Sequence, residues 1–153
     1  MFRFMGVSGK VIKLSEDQKD RIKRHETPGG IPTLEPYQDS LGIWTVGYGR
    51  NLQDTVFTRA ECDMMFDTDI MRAEQGAENF QFFENLNDVR KSVVIEMVYQ
   101  MGPSRVGKFV KFRAAAMQQK WATAAEEMLD SRWHSQTPAR AERLADLFER
   151  GEE

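Results

Sequence analysis

The chain has 153 residues, 41% of them hydrophobic and 29% charged, with a formal net charge of −3. That is an ordinary globular composition, and without a basic excess it argues against a nucleic-acid partner or a strongly cationic wall-binding module. The single cysteine, Cys62, excludes an intrachain disulfide, no stretch is long enough for stable membrane insertion, and residues 1–7 are too short and broken to act as a signal peptide.

In chain order, residues 1–14 carry no helix signal and are expected to form an arm or an extra strand. Ser15 and Gln18 make a capping box that opens a helix. Pro28-Gly29-Gly30 forces that helix to stop by Thr27. Glu26 therefore lies in the last turn, at the negative end of the helix dipole, where a merely structural carboxylate is disfavoured. Residues 27–36, rich in Gly and Pro, read as a loop with Glu35 exposed.

Residues 37–49 read as a hairpin with arms at 37–39 and 43–48 and a turn at Ser40-Leu41-Gly42. A three-residue turn sets Asp39 opposite Ile43. Thr45 is then its diagonal neighbour on the same face, roughly 7–8 Å away at the backbone. That gap suits two side chains holding one water. Gly47 and Gly49 continue this face as bare backbone that a ligand can approach closely. Trp44, Val46 and Tyr48 are expected to pack inward on the opposite face.

Thr58 and Glu61 form a second capping box, opening a helix to about Gly76 that links two lobes. Met64, Met65, Ile70 and Ala73 give it apolar contacts, and Cys62 is expected to be a buried small hydrophobe. A short helix near residues 81–86 precedes Asn87, which caps the strongest helix, Asp88–Met101. Its apolar residues cover most of its circumference, so it should be central, with Gly102 as C-cap. Its Glu96 is an acid that needs a partner or reaches the lobe junction. Further on, Phe109 and Phe112 should pack inward while the neighbouring lysines stay solvated. Another helix covers residues 121–130. Trp133 reads as core. Thr137 as N-cap, Pro138 at the first helical position and Gly151 at the end bound the last helix. Arg140 falls in its first turn, where the dipole disfavours a cation, and this suggests a specific partner. His25 and His134 lack ligand spacing, so neither a metal nor a cofactor is implied.

Two carboxylates and a hydroxyl on one cleft edge meet the needs of glycosidic cleavage. One acid protonates the leaving oxygen, and a base or nucleophile works from the opposite side of the sugar.

Glu26, Asp39 and Thr45, followed by Val46-Gly47-Tyr48-Gly49, resemble the site motif of the phage-type (T4-like) lysozymes. The stretch from Val89 to Gly102 is similar to that family's central helix. Ser131-Arg132-Trp133-His134-Ser135-Gln136-Thr137-Pro138-Ala139-Arg140-Ala141 is similar to its Trp-x-x-Gln-Thr-Pro-x-Arg signature. The resemblance runs from about residue 15 to residue 151. It implies an α+β fold, with a small N-terminal lobe bearing the hairpin (15–57), a connecting helix (58–80) and a helical C-terminal lobe (81–153). It implies an endolysin hydrolysing the β-1,4 bond between N-acetylmuramic acid and N-acetylglucosamine. Glu26 would be the general acid, with Asp39 and Thr45 activating a water in an inverting displacement. Arg140 would pair with Glu26, and Gln100 would line the cleft. The implied partner is the peptidoglycan glycan strand, met by a monomer held in the host cytoplasm until a holin gives it access to the periplasm and wall. Several features depart from the family pattern, among them Arg50 where the family often has a histidine. The spacing of Glu26 and Asp39 is longer, and a segment between the hairpin and the connecting helix is missing. A lytic transglycosylase, which needs no activated water, and a non-catalytic glycan-binding protein are the alternatives.

Overall fold

The computed structural model describes residues 13–153, so the arm or strand expected over residues 1–14 lies almost wholly outside the described residues. The chain divides into two compact units, one ending at Phe57 and the other running from Thr58 to Glu153.

Among the described residues, the first element of the first unit is α1 (Glu16–Glu26). Ser15 accepts a hydrogen bond from the Gln18 amide at 3.3 Å, and Gln18 Oε1 takes the Ser15 N–H at 2.9 Å. Glu16 and Asp17 in the first turn and Lys23, Arg24 and His25 in the last complement the dipole. The helix stops where expected. Thr27 is extended, and its hydroxyl donates to the Lys23 carbonyl at 3.1 Å.

A three-stranded antiparallel sheet follows, in the order β1 (Thr33–Gln38), β2 (Trp44–Gly47), β3 (Arg50–Asn51). Two sequence expectations are corrected here. Residues 27–36 are not a loop: Pro28–Gly30 form a 3₁₀ turn and β1 already starts at Thr33. Pro36 is tolerated because β1 is an edge strand. Thr33 pairs with Gly47 and Tyr37 with Thr45, so four steps along β1 match two along β2, which is a bulge. Trp44 and Tyr48 do not pack inward; they are 47% and 39% exposed. Among the described residues of this unit the buried ones are Thr27 and Thr45, so the unit offers these rings no apolar layer to bury against.

The second unit is helical: α2 (Arg59–Glu78), α3 (Asp88–Met101), α4 (Pro103–Gly107), α5 (Val110–Met117), α6 (Trp121–Leu129), α7 (Arg132–Gln136) and α8 (Pro138–Arg150). With the small sheet, the fold class is α+β, as expected. Thr58–Glu61 and Asn87 cap α2 and α3 as read from sequence. The core is built around Val93, Val94, Met97 and Val98 of α3, each 3% exposed or less. Each such side chain contributes roughly 1.5–3 kcal/mol. Phe112 joins Phe82 and Phe148 through edge-on ring contacts at 5.6 and 5.1 Å. Among the described residues no helix is long and apolar enough to cross a membrane.

Further expectations change in this unit. Cys62 is exposed, as are Met64 and Met65, because α2 buries only Ala73 and Ala77. Thr137 sits at the N-cap position of α8, but its hydroxyl donates back to the Trp133 carbonyl at 3.2 Å and caps nothing. Arg90, which the sequence did not mark, is buried. Its Nε and Nη2 donate to the Phe148 and Glu149 carbonyls at 2.7 and 2.8 Å, satisfying carbonyls left over at the end of α8. Its guanidinium lies 4.2 Å from the Trp121 ring centre.

Candidate active site

Glu26 is the last residue of α1, and its side chain is exposed. Its Oε2 lies against the turn between β2 and β3. A Cβ added at Gly49, where φ is 79°, would stand 3.1 Å from that oxygen. Glycine is needed here for both the backbone angle and the space. Lys23, one turn back on α1, sets its ammonium 5.8 Å from the Tyr48 ring centre and pairs with Asp20 at 3.0 Å. The hydrogen bond that Lys23 donates to Asp20, then the charge of that carboxylate, hold the Lys23 ammonium above the ordinary lysine range. Lys23 and Glu26 thus both meet the same turn from the last turns of α1.

Asp39 closes the β1–β2 hairpin. Its amide donates to the Ile43 carbonyl at 3.0 Å, so the expected pairing of Asp39 with Ile43 is present. Its Oδ1 accepts the Leu41 and Ile43 amides at 2.8 and 2.9 Å. One carboxylate oxygen therefore shapes the turn, and Oδ2 is the oxygen suited to a ligand. Thr45 faces Tyr37 across the ladder and so shares the Asp39 face, at the diagonal position. It is 5% exposed, and its hydroxyl donates to the Ile43 carbonyl at 3.1 Å. With its proton committed, the oxygen has lone pairs only to offer. A carboxylate and an accepting hydroxyl on one face can take both hydrogens of a water and leave its lone pair for attack.

The first unit thus carries Glu26, Asp39 and Thr45. Gln100 and Arg140 belong to the second. Gln100 Oε1 accepts the Trp133 indole N–H at 3.0 Å, and its Nε2 is 3.4 Å from the Thr137 hydroxyl. Trp133 is core, as read from sequence, at 5% exposure. Its tie to Gln100 was not foreseen, although the two motifs already contained both partners. Beyond Trp133 a cavity of about 710 Å³ opens among Phe109, Lys111, Glu127, Arg132 and Gln136. Arg140 Nε is 3.9 Å from Glu96 Oε1, and Arg143 Nη2 is 4.0 Å from the same oxygen. Glu96 therefore has two basic partners in its own unit.

Comparison with known proteins agrees with this architecture. The phage lysozyme family profile matches residues 30–153. Two proteins of Dictyostelium discoideum, named "Probable T4-type lysozyme 1" and "Probable T4-type lysozyme 2", are each 30% identical over 163 aligned positions. The alignments cover 87% of this chain and 94% of each relative. With a matched span that holds Asp39, Thr45, the central helix and the C-terminal motif, the chain belongs to the phage lysozyme family and is a glycoside hydrolase of the lysozyme type, with peptidoglycan as its substrate.

Proposed function

We propose that the protein is an endolysin cutting the β-1,4 bond between N-acetylmuramic acid and N-acetylglucosamine by an inverting displacement. Glu26 protonates the leaving glycosidic oxygen as its bond to the anomeric carbon breaks. A water oxygen attacks that carbon from the opposite side, giving one proton to the Asp39 carboxylate, while its other hydrogen stays on the new anomeric hydroxyl and is hydrogen-bonded to Thr45. Gln100 and Arg140, of the second unit, are assigned supporting roles.

The reading is carried by one observation: the Glu26 carboxylate abuts the Gly49 turn of the sheet whose hairpin presents Asp39 and Thr45. Acid and water-holding pair thus share one compact unit. The two side chains suited to hold a water also favour hydrolysis over transglycosylation, which needs none. The free Cys62 fits storage of a monomer in a reducing host cytoplasm. Delivery to the periplasm and wall would then follow holin action.

The test is Glu26→Gln, assayed by turbidity loss of outer-membrane-permeabilised Gram-negative cells, with circular dichroism to follow the fold. A folded, inactive variant is expected; full activity would remove Glu26 from the mechanism.

A further inference from the structure

We propose that Glu96 is a positioning residue for this reaction, holding Arg140 through a charge contact that it shares with Arg143. The inference rests on the supporting role given to Arg140 above.

Arg140 is the third residue of α8, whose first turn holds no acidic side chain. A cation there meets the positive end of the helix dipole, and its long side chain has many rotamers to choose among. What sets its place must come from another element. Glu96, on α3, supplies it: its Oε1 is 3.9 Å from Arg140 Nε and 4.0 Å from Arg143 Nη2. Three other charged groups on elements packed against α8 are engaged elsewhere. His134 of α7 meets Glu142 at 3.0 Å, Glu127 of α6 is 3.9 Å from Lys111, and Arg90 of α3 is spent on the far end of α8.

Glu96 also stands one helical turn before Gln100, on the same face of α3. Gln100 is fixed by Trp133 and Thr137, and Glu96 by Arg140 and Arg143. One polar stripe of α3 therefore orients both supporting residues of the second unit. The backbone beneath that stripe is rigid, since Val93, Val94, Met97 and Val98 fill the core.

At these distances the contact is electrostatic and not a hydrogen bond. The groups are about half exposed, so its effect on stability is small and its effect is to be sought in turnover. Charge should matter more than shape, which makes Glu96→Gln the informative change.

The experiment measures kcat and KM on purified, solubilised peptidoglycan for Glu96→Gln, Arg140→Gln and the double variant, the weaker ones at raised enzyme concentration. Glu96→Gln is expected to lower kcat about fivefold, with KM changed less than about twofold and the thermal midpoint within about 2 °C. In the Arg140→Gln background the same change should cost almost nothing, because the two residues act as a unit. Glu96→Asp, which keeps the charge, should recover part of the loss. An unchanged kcat in Glu96→Gln would overturn the proposal, as would a loss that falls on KM or persists undiminished without Arg140. Glu26→Gln is assayed alongside. If it stays active, the reading of the site itself fails; if it is inactive while Glu96→Gln matches the parent, only the role of Glu96 fails.

Discussion

The Glu26 carboxylate and the Gly49 backbone occupy adjoining space: a single added methyl at residue 49 would come to 3.1 Å from Glu26 Oε2. The end of α1 and the β2–β3 turn are thereby joined at the proposed acid. Gly49→Ala should suffer twice. Its φ of 79° is costly for a residue with a Cβ, about 1–2 kcal/mol, and the new methyl pushes on the carboxylate. Denaturant unfolding should show the first effect. Steady-state kinetics should show a loss of turnover of about ten- to hundredfold, because small misplacements of a reacting group are expensive. Near-normal turnover would mean that Glu26 has freedom to spare.

Asp39 has two separable duties, and Asn separates them. Asparagine keeps an oxygen for the Leu41 and Ile43 amides, so the hairpin survives. The charge that takes up the proton of water is gone. Asp39→Asn should melt within a few degrees of the parent and lose about 100-fold or more in kcat. Thr45→Val removes the accepting oxygen and one hydrogen bond to the Ile43 carbonyl. It should cost about 0.5–1.5 kcal/mol of stability along with a fall in kcat. A cold-stable, fully active Asp39→Asn would assign the carboxylate to the turn alone.

Arg90 closes the end of α8, and the closure is tight: a Cβ at Gly151 would lie 2.4 Å from Arg90 Nη1. Asn87 adds a hydrogen bond to the Gly151 carbonyl at 2.8 Å. Burial depresses the affinity of the guanidinium for its proton, yet it remains charged. Arg90→Met should reduce unfolding free energy by roughly 3 kcal/mol, since two charge-assisted hydrogen bonds are lost and carbonyls are left unpaired. The urea midpoint measures this, and Trp121 fluorescence should report it because the indole loses its stacked cation. A shift of less than about 1 kcal/mol would show that the α8 terminus is held by other groups.

What the sequence revealed was chiefly the chemistry of ends. Ser15, Thr58 and Asn87 mark helix starts by side-chain capping, and Gly102 and Gly151 mark stops by their positive φ. These signals are local, so they survive without tertiary knowledge. The pairing of Asp39 with Ile43 was legible for the same reason, since a short turn fixes its register. The first part of β1, residues 33–36, was hidden because Pro36 and a bulge erase the two-residue alternation of a strand. The exposure of Trp44, Tyr48 and Cys62 was illegible because hydrophobicity reports what a residue prefers, while burial depends on what stands opposite. Arg90 and Glu96 were misjudged or left open because their partners lie on a helix about fifty residues away. At the site, the residue types could be named from spacing and resemblance. The commitment of Asp39 Oδ1 to the turn, and of the Thr45 proton to Ile43, required coordinates.

The most direct test concerns the water that Asp39 and Thr45 are proposed to hold. Purified peptidoglycan glycan strands should be digested briefly, and the new reducing ends read by proton NMR before mutarotation, with mass spectrometry of the same sample. Attack by that water from the face opposite the leaving group gives α-configured N-acetylmuramic acid ends carrying one added water. Ends that first appear as the β-anomer, or as 1,6-anhydro sugars with no water added, would contradict the assignment of Asp39 and Thr45.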